Sequence, residues 1–308
     1  MKNIRLKNSL LACIFTTMAT LVYTQQQVQF TQYMYNTMMV NPAYTGTGGK
    51  LEALFIHRSQ WVGLDGAPQT QNFGINSALG KSLGVGLNFI NDRIGPANQM
   101  FITTSVSGII KLSKNVNLSV GLSGGVDIIN VDWTKGKTQS DNDLTMLNNI
   151  NNRVRPVVGA GFYLYSNKWY FGLSSPTFIQ QDRYGKYQEA EIDNRLHWYG
   201  IAGYVFHISD NVKLKPALLA KVVEGAPVTI DVSINTILQD QFTLGVGYRN
   251  HDAMSLLFGY TIKKSIFIGY SYDFNVSRLR KYNYGSHDII LKYSLFKKDV
   301  GVRSPRFF

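Results

Sequence analysis

Residues 228–235 read Val-Thr-Ile-Asp-Val-Ser-Ile-Asn, an unbroken alternation of apolar and polar side chains, and versions of it recur from about residue 50 to residue 296. A period of two puts every second side chain on one face of a strand. Val228, Ile230, Val232 and Ile234 therefore share one face, and Thr229, Asp231, Ser233 and Asn235 share the other. A fold of such strands must offer oil to one side of its sheet and water to the other. With 13% aromatic and only 16% charged residues, the chain is ordered and sheet-rich, not disordered.

Alternation and turn residues predict fourteen strands, at 50–58, 71–77, 82–91, 99–112, 116–129, 156–165, 168–174, 195–208, 211–221, 227–237, 241–249, 253–262, 265–273 and 285–296. Many have the roughly 9–11 residues that a tilted strand needs to cross a bilayer, whereas soluble strands average about 5–6. Every other connection is very short: Ser113-Lys114-Asn115, Ser166-Asn167, Ser209-Asp210, Leu238-Gln239-Asp240 and Lys263-Lys264. The connections at 59–70, 130–155, 175–194 and 274–284 are long. That asymmetry suits tight periplasmic turns against longer surface loops, and it predicts both termini in the periplasm. Peptide groups left unsatisfied in hydrocarbon cost several kcal/mol each, so a spanning sheet must close on itself. The expected fold is all-β: a transmembrane outer-membrane β-barrel of about 14 antiparallel strands over residues 50–296, with a short N-terminal periplasmic or plug segment at 25–49.

Lys2, Arg5 and Lys7 precede an apolar run from Leu10 to Val22 and then Gln25-Gln26-Gln27, which reads as a secretory signal over residues 1–24. The apolar core is too short for a membrane span. Cys13 follows Leu10-Leu11-Ala12 as in a lipoprotein, but the apolar run continues through Ile14, Phe15 and Met18, which favours an ordinary signal. It is the only cysteine, so the mature chain has no disulfide. Without the three signal cations, 28 basic residues stand against 19 acidic ones, a net +9. Export argues against nucleic acid as the partner, as does the scatter of Lys81, Lys114, Arg183 and Lys263-Lys264 among connections. These cations read as solvated turns, with outer-membrane lipid head groups as the second reading.

Two features admit two readings each. Gly84 and Gly86, Gly159 and Gly161, and Gly245 and Gly247 each share a strand face, either leaving lumenal room for a plug or guest or permitting curvature. Trp169-Tyr170, Trp198-Tyr199, Tyr163 with Tyr165, and Tyr270 with Tyr272 gather near strand ends, as interfacial belts do, although aromatics also favour strands generally.

No catalytic, metal or cofactor site is expected. His57, His197, His207, His251 and His287 form no pair at metal-ligand spacing, and there is no nucleophile elbow or phosphate-binding glycine loop. Asp141-Asn142-Asp143 lacks the glycine and terminal glutamate of a calcium loop.

Residues 25–49 do not alternate. Phe30, Tyr33, Met34 and Met38 recur at a short helical spacing that Asn41-Pro42 ends, because the residue before proline disfavours the helical region. The segment is expected to pack in or beneath the periplasmic mouth. The tail at 297–308, ending Arg306-Phe307-Phe308, is expected in the periplasm.

Four ordered blocks carry a family resemblance: Phe30-Thr31-Gln32-Tyr33-Met34-Tyr35-Asn36, Asn41-Pro42-Ala43-Tyr44-Thr45-Gly46, Arg58-Ser59-Gln60-Trp61-Val62-Gly63 and Gly66-Ala67-Pro68-Gln69-Thr70. Together with Asn91-Asp92-Arg93-Ile94-Gly95, they resemble the PorP/SprF-type outer-membrane proteins. The resemblance implies a non-catalytic barrel of the type IX secretion and gliding-motility machinery of Bacteroidetes. Such a barrel assists export or surface retention of a large adhesin through the adhesin's C-terminal domain. It also implies, for some members, a periplasmic peptidoglycan-binding lipoprotein as neighbour. The motif residues offered as partner-binding candidates are Phe30, Gln32, Tyr33, Asn36, Asn41, Pro42, Tyr44, Gly46, Arg58, Gln60, Trp61, Gly63, Gly66 and Pro68. The alternative function is a passive pore for small solutes.

Overall fold

The computed structural model describes residues 33–49, 51–135, 149–178, 196–224 and 226–295. Its strands are β1 (Glu52–Ser59), β2 (Gln69–Leu79), β3 (Leu83–Ile94), β4 (Ala97–Lys111), β5 (Asn117–Val131), β6 (Ile150–Tyr165), β7 (Trp169–Ser175), β8 (His197–Tyr204), β9 (Phe206–Ser209), β10 (Val212–Val223), β11 (Thr229–Leu238), β12 (Phe242–Arg249), β13 (Ala253–Ile262), β14 (Ile266–Asn275) and β15 (Ser286–Ser294). Only Val205 separates β8 from β9, and both pair with β10, so the two make one interrupted strand of a fourteen-strand sheet. Neighbours are antiparallel throughout. The ring closes where β1 meets β15, with Glu52 opposite Ser294 and Ser59 opposite His287.

All fourteen predicted strands are present. The largest difference is at β6, which begins at Ile150 and not at 156. Asn151, Asn152 and Arg153 look like loop residues, yet Arg153 pairs with Ile129 and Ile150 with Val131 across a register shift. Asn152 sits there at φ +50, so a bulge carries the ladder through a polar stretch that breaks the alternation.

The barrel is apolar outside, while its inner face mixes buried polar side chains with two apolar clusters. Val228, Ile230, Val232 and Ile234 are 40–46% exposed, while Ser233 and Asn235 are 7% and 3% exposed. The same division holds around the ring, with Leu87, Val106, Leu122, Leu244 and Leu256 outward and Asn72, Ser107, Asp127 and Asp288 buried. A cation placed on the lipid face near mid-strand should therefore be costly. Val232→Arg is expected to reduce stability by about 2–4 kcal/mol, read as the denaturant midpoint for folding into lipid vesicles. An unchanged midpoint would contradict the assignment of this face to lipid.

The six connections at one end of the barrel are tight turns, at 80–82, 112–116, 166–168, 210–211, 239–241 and 263–265. In two of them both central residues take positive φ, Gln239 with Asp240 and Lys263 with Lys264, the backbone whose twist matches antiparallel strands. The longer connections lie at the other end, including 60–68, 132–149, 176–196 and 276–285, beside two short ones at 95–96 and 250–252. The two ends are called the turn side and the loop side below. Residues 1–24 and 297–308 lie outside the described residues.

Candidate functional site

Residues 33–49 run through the lumen. Asn36 Nδ2 donates to Asn72 Oδ1 of β2 at 3.0 Å, and Asn41 Nδ2 donates to the Phe162 carbonyl of β6 at 3.0 Å. On the opposite wall, Tyr35 stacks on Phe267 of β14 with ring centroids 4.7 Å apart, and Met34 sulfur lies 2.8 Å from Asn235 Nδ2 of β11. Only a segment inside the ring can touch all of these strands. It contains one helical turn, α1 (Thr37–Val40), and a 3-10 turn, Pro42–Tyr44, so among the described residues the helical spacing ends in a single turn around Met38. The stop is where proline demands it: Asn41 is extended, with φ −138 and ψ 107. Its side-chain oxygen then accepts from the Ala43 N–H at 3.0 Å, capping the next turn.

A row of small residues across six strands explains how the segment fits. Ala78, Gly84, Ser107, Gly121, Gly161 and Ser174 are successive cross-strand partners from β2 to β7. Residues 40–46 lie along this shelf. Ser174 Oγ donates to the Val40 carbonyl at 2.7 Å, and Ser107 Oγ donates to the Thr45 carbonyl at 2.6 Å. A Cβ at Gly121 would stand 2.5 Å from Ala43 Cα, and one at Gly46 would stand 2.5 Å from Gly84 Cα. Gly46 also takes φ +72, so both conformation and space require glycine there. The alternating glycines thus divide. Gly84, Gly86 and Gly161 admit the segment, through Thr45, Met38 and Asn41 respectively. Gly159 admits Pro176, while Gly245 and Gly247 admit the side chains of Asn235 and Ser255 from their own wall.

The strand-end aromatics divide as well. Trp198 and Tyr270 face outward at 48% and 44% exposure. Tyr163, Tyr165, Tyr170 and Tyr199 are buried in the lumen and do not belong to an interfacial belt. Tyr44 meets Tyr163 edge-on at 5.7 Å, so the aromatic surface of the segment packs on an aromatic wall. Strand-end position could not reveal this, because a one-residue step changes the face.

Toward the loop side the lumen wall carries ion pairs. Arg58 Nη1 lies 2.6 Å from Asp288 Oδ1 and Nη2 lies 2.9 Å from Asp273 Oδ2, all three side chains being almost fully buried. Arg249 bridges Asp231 at 2.7 Å and Asp252 at 3.1 Å. Arg155 pairs with Asp127, whose two oxygens accept from Gln99 Nε2 at 2.9 Å each. Of these groups only Arg58 was singled out from the sequence. Asp127 with Arg155 and Asp231 with Arg249 are direct cross-strand partners, a signal legible once opposite charges are sought in the polar register of one hairpin.

The loop from β1 to β2 is stitched to both neighbours. Gln60 N–H donates to the Pro68 carbonyl at 2.9 Å, closing the loop at its base. Trp61, half-buried at φ +50, donates its N–H to Ser286 Oγ at 3.1 Å, and Val62 exchanges backbone hydrogen bonds with Gly285 and Tyr284. A Cβ at Gly63 would stand 2.8 Å from the Tyr284 ring. On the other side Gly95 N–H donates to the Gly66 carbonyl at 2.9 Å, and Thr70 Oγ1 donates to Asp92 at 2.6 Å. The Arg58–Thr70 and Asn91–Gly95 blocks therefore form one rim.

The candidate residues fall into two groups. Tyr33, Asn36, Asn41, Pro42, Tyr44 and Gly46 belong to the lumenal segment, and Arg58, Gln60, Trp61, Gly63, Gly66 and Pro68 belong to the rim and its anchor. Phe30 and Gln32 lie outside the described residues. A cleft lies between the segment and the barrel wall, lined by Met38, Met39 and Val40 of the segment and by Phe101, Val157 and Tyr199 of the wall.

This architecture defines an outer-membrane β-barrel whose lumen is crossed by its own N-terminal segment. The chain belongs to the PorP/SprF family of type IX secretion system membrane proteins, whose sequence profile matches residues 22–293. Among solved structures it is similar in fold to the Ralstonia pickettii toluene transporter TbuX, at TM-score 0.51 and 9% identity, covering 84% of this chain and 92% of that one. The CymD monoaromatic hydrocarbon channel follows at TM-score 0.49 and 11% identity, covering 88% and 94%. No curated protein matches the chain.

Proposed function

We propose that this component of the type IX machinery works by binding and not by catalysis, assisting export and surface attachment of a large adhesin through the adhesin's C-terminal domain. The turns and both termini face the periplasm, where a peptidoglycan-binding lipoprotein is the expected neighbour. The observation that supports this reading is the lumenal path of residues 33–49, held along the small-residue shelf. A barrel filled by its own chain is a poor conduit for small solutes and a good platform for a partner. It leaves an apolar cleft beside the segment and a stitched rim on the loop side.

Affinity purification from detergent-solubilised outer membranes, followed by mass spectrometry, tests it. Recovery of a surface protein bearing a C-terminal secretion domain, with a periplasmic lipoprotein, is expected. Recovery of neither overturns the reading. Orientation has its own test, because Cys13 is the only native cysteine and lies within the expected signal. In intact cells an impermeant maleimide should label Tyr284→Cys and spare Lys114→Cys. The opposite pattern would reverse the topology.

A further inference from the structure

We propose that the turn-side rim binds the head groups of anionic glycerophospholipids. Lys81, Lys111, Lys114, Lys168, Lys263 and Lys264 are all exposed there, on four of the six turns or at their edges. None of the six forms an ion pair with another described residue. The turn-side acids among the described residues are few. Asp240 is engaged by Lys213 at 2.6 Å, and Glu52 is buried against Lys292 at 3.0 Å. That leaves Asp210 exposed against six cations.

Placement selects the ligand. The lysine-bearing turns join β2 to β3, β4 to β5, β6 to β7 and β13 to β14, so the cations form an arc around most of the rim and not one patch. Lys81 and Lys114 lie in turns at the border of the lipid-facing belt, beside outward Leu79, Leu83 and Leu112 at 52–56% exposure. A lysine in that position lays its apolar stem along hydrocarbon and lifts its ammonium to the depth of lipid phosphates. An acidic protein partner would call for a concentrated patch facing away from the membrane. Glycerophospholipid, and not the glycolipid of the outer leaflet, is the source chosen because the turns face the periplasm in the reading proposed above.

The test measures lipids retained by the purified barrel in mixed phosphatidylglycerol and phosphatidylcholine micelles, by native mass spectrometry of the folded, heat-modifiable species. Phosphatidylglycerol should be enriched on the order of tenfold over phosphatidylcholine, and the enrichment should collapse in about 1 M salt, where screening acts over about 3 Å. The variant Lys81→Gln/Lys114→Gln/Lys168→Gln/Lys263→Gln/Lys264→Gln should fall to near parity. Arg278→Gln/Arg280→Gln/Lys281→Gln, on the loop side, should keep the preference. Parity in the native protein, or enrichment that survives the five turn substitutions, overturns the proposal, as does loss only in the loop-side variant. The measurement itself does not depend on orientation, so the two failures are distinguishable: reversed maleimide labelling would sink the topology and with it the choice of glycerophospholipid over glycolipid, whereas parity here would sink the anionic-lipid arc alone.

Discussion

Gly121→Val will unseat the N-terminal segment while leaving the barrel folded. The added Cβ would stand 2.5 Å from Ala43 Cα and from the Pro42 carbonyl carbon, so backbone, not a flexible side-chain end, must move. The shelf gives it nowhere to go. Val40 and Thr45 are tied at either side by Ser174 and Ser107, and Gly46 lies against Gly84. The barrel itself rests on a closed ladder of backbone hydrogen bonds that the substitution leaves intact, since Gly121 keeps Ser107 and Gly161 as cross-strand partners. Hydrogen exchange should show residues 36–47 losing protection by an order of magnitude or more while β5 and β6 stay protected. Cell-surface adhesin should fall on the order of tenfold in the same strain. Gly108→Val is the matched control: it lies in the neighbouring strand, and an added Cβ there meets nothing within 4 Å. Equal exchange in the two variants would show that the segment is not held on this shelf.

Arg58→Met will be among the most destabilising single changes in the chain. The guanidinium serves two carboxylates at once, Asp288 on the adjacent β15 and Asp273 on β14, and all three side chains are almost fully removed from solvent. Deleting one member of a buried ion pair leaves uncompensated charge and costs about 3–5 kcal/mol, far more than a surface pair contributes. Unfolding in detergent micelles should shift accordingly. Arg58→Lys should recover only part of the loss, because a single ammonium cannot fork to two acids on different strands. The triple change Arg58→Met/Asp273→Asn/Asp288→Asn should regain most of it by removing the orphaned charges. A native-like midpoint for Arg58→Met would mean that the cluster contributes nothing to stability.

The strands were readable from the sequence because lipid and lumen impose opposite chemistry on alternate residues. Val228 to Asn235 display that rule without interruption, and the structure places their faces accordingly. The predicted β6 stops short because Asn151 and Asn152 break the alternation, while Ile150 and Arg153 on either side of them still pair across the bulge. The candidate site was readable only as motifs. Asn41-Pro42 marked the end of a helical turn, but what Ala43 and Gly46 require is set by Gly121 and Gly84, far away in the chain. Periodicity assigned Gly84 a face without saying what would occupy it, and Gly121 carried no signal of its own. The same limit hid Tyr163 and Tyr170, which sit near strand ends as belt residues do yet point inward onto Tyr44 and its neighbours. The ion pairs were missed for a different reason. Asp273 and Asp288 look like ordinary polar-register residues until β1 brings Arg58 between them.

Single-channel recording in planar bilayers tests the filled lumen most directly, comparing the native protein with a variant lacking residues 33–48. The native barrel should show no steady open current, and the shortened one should conduct at least on the order of tenfold more, as an unplugged fourteen-strand lumen would. A large open current from the native protein, unchanged by the deletion, would contradict a barrel closed by its own N-terminal segment.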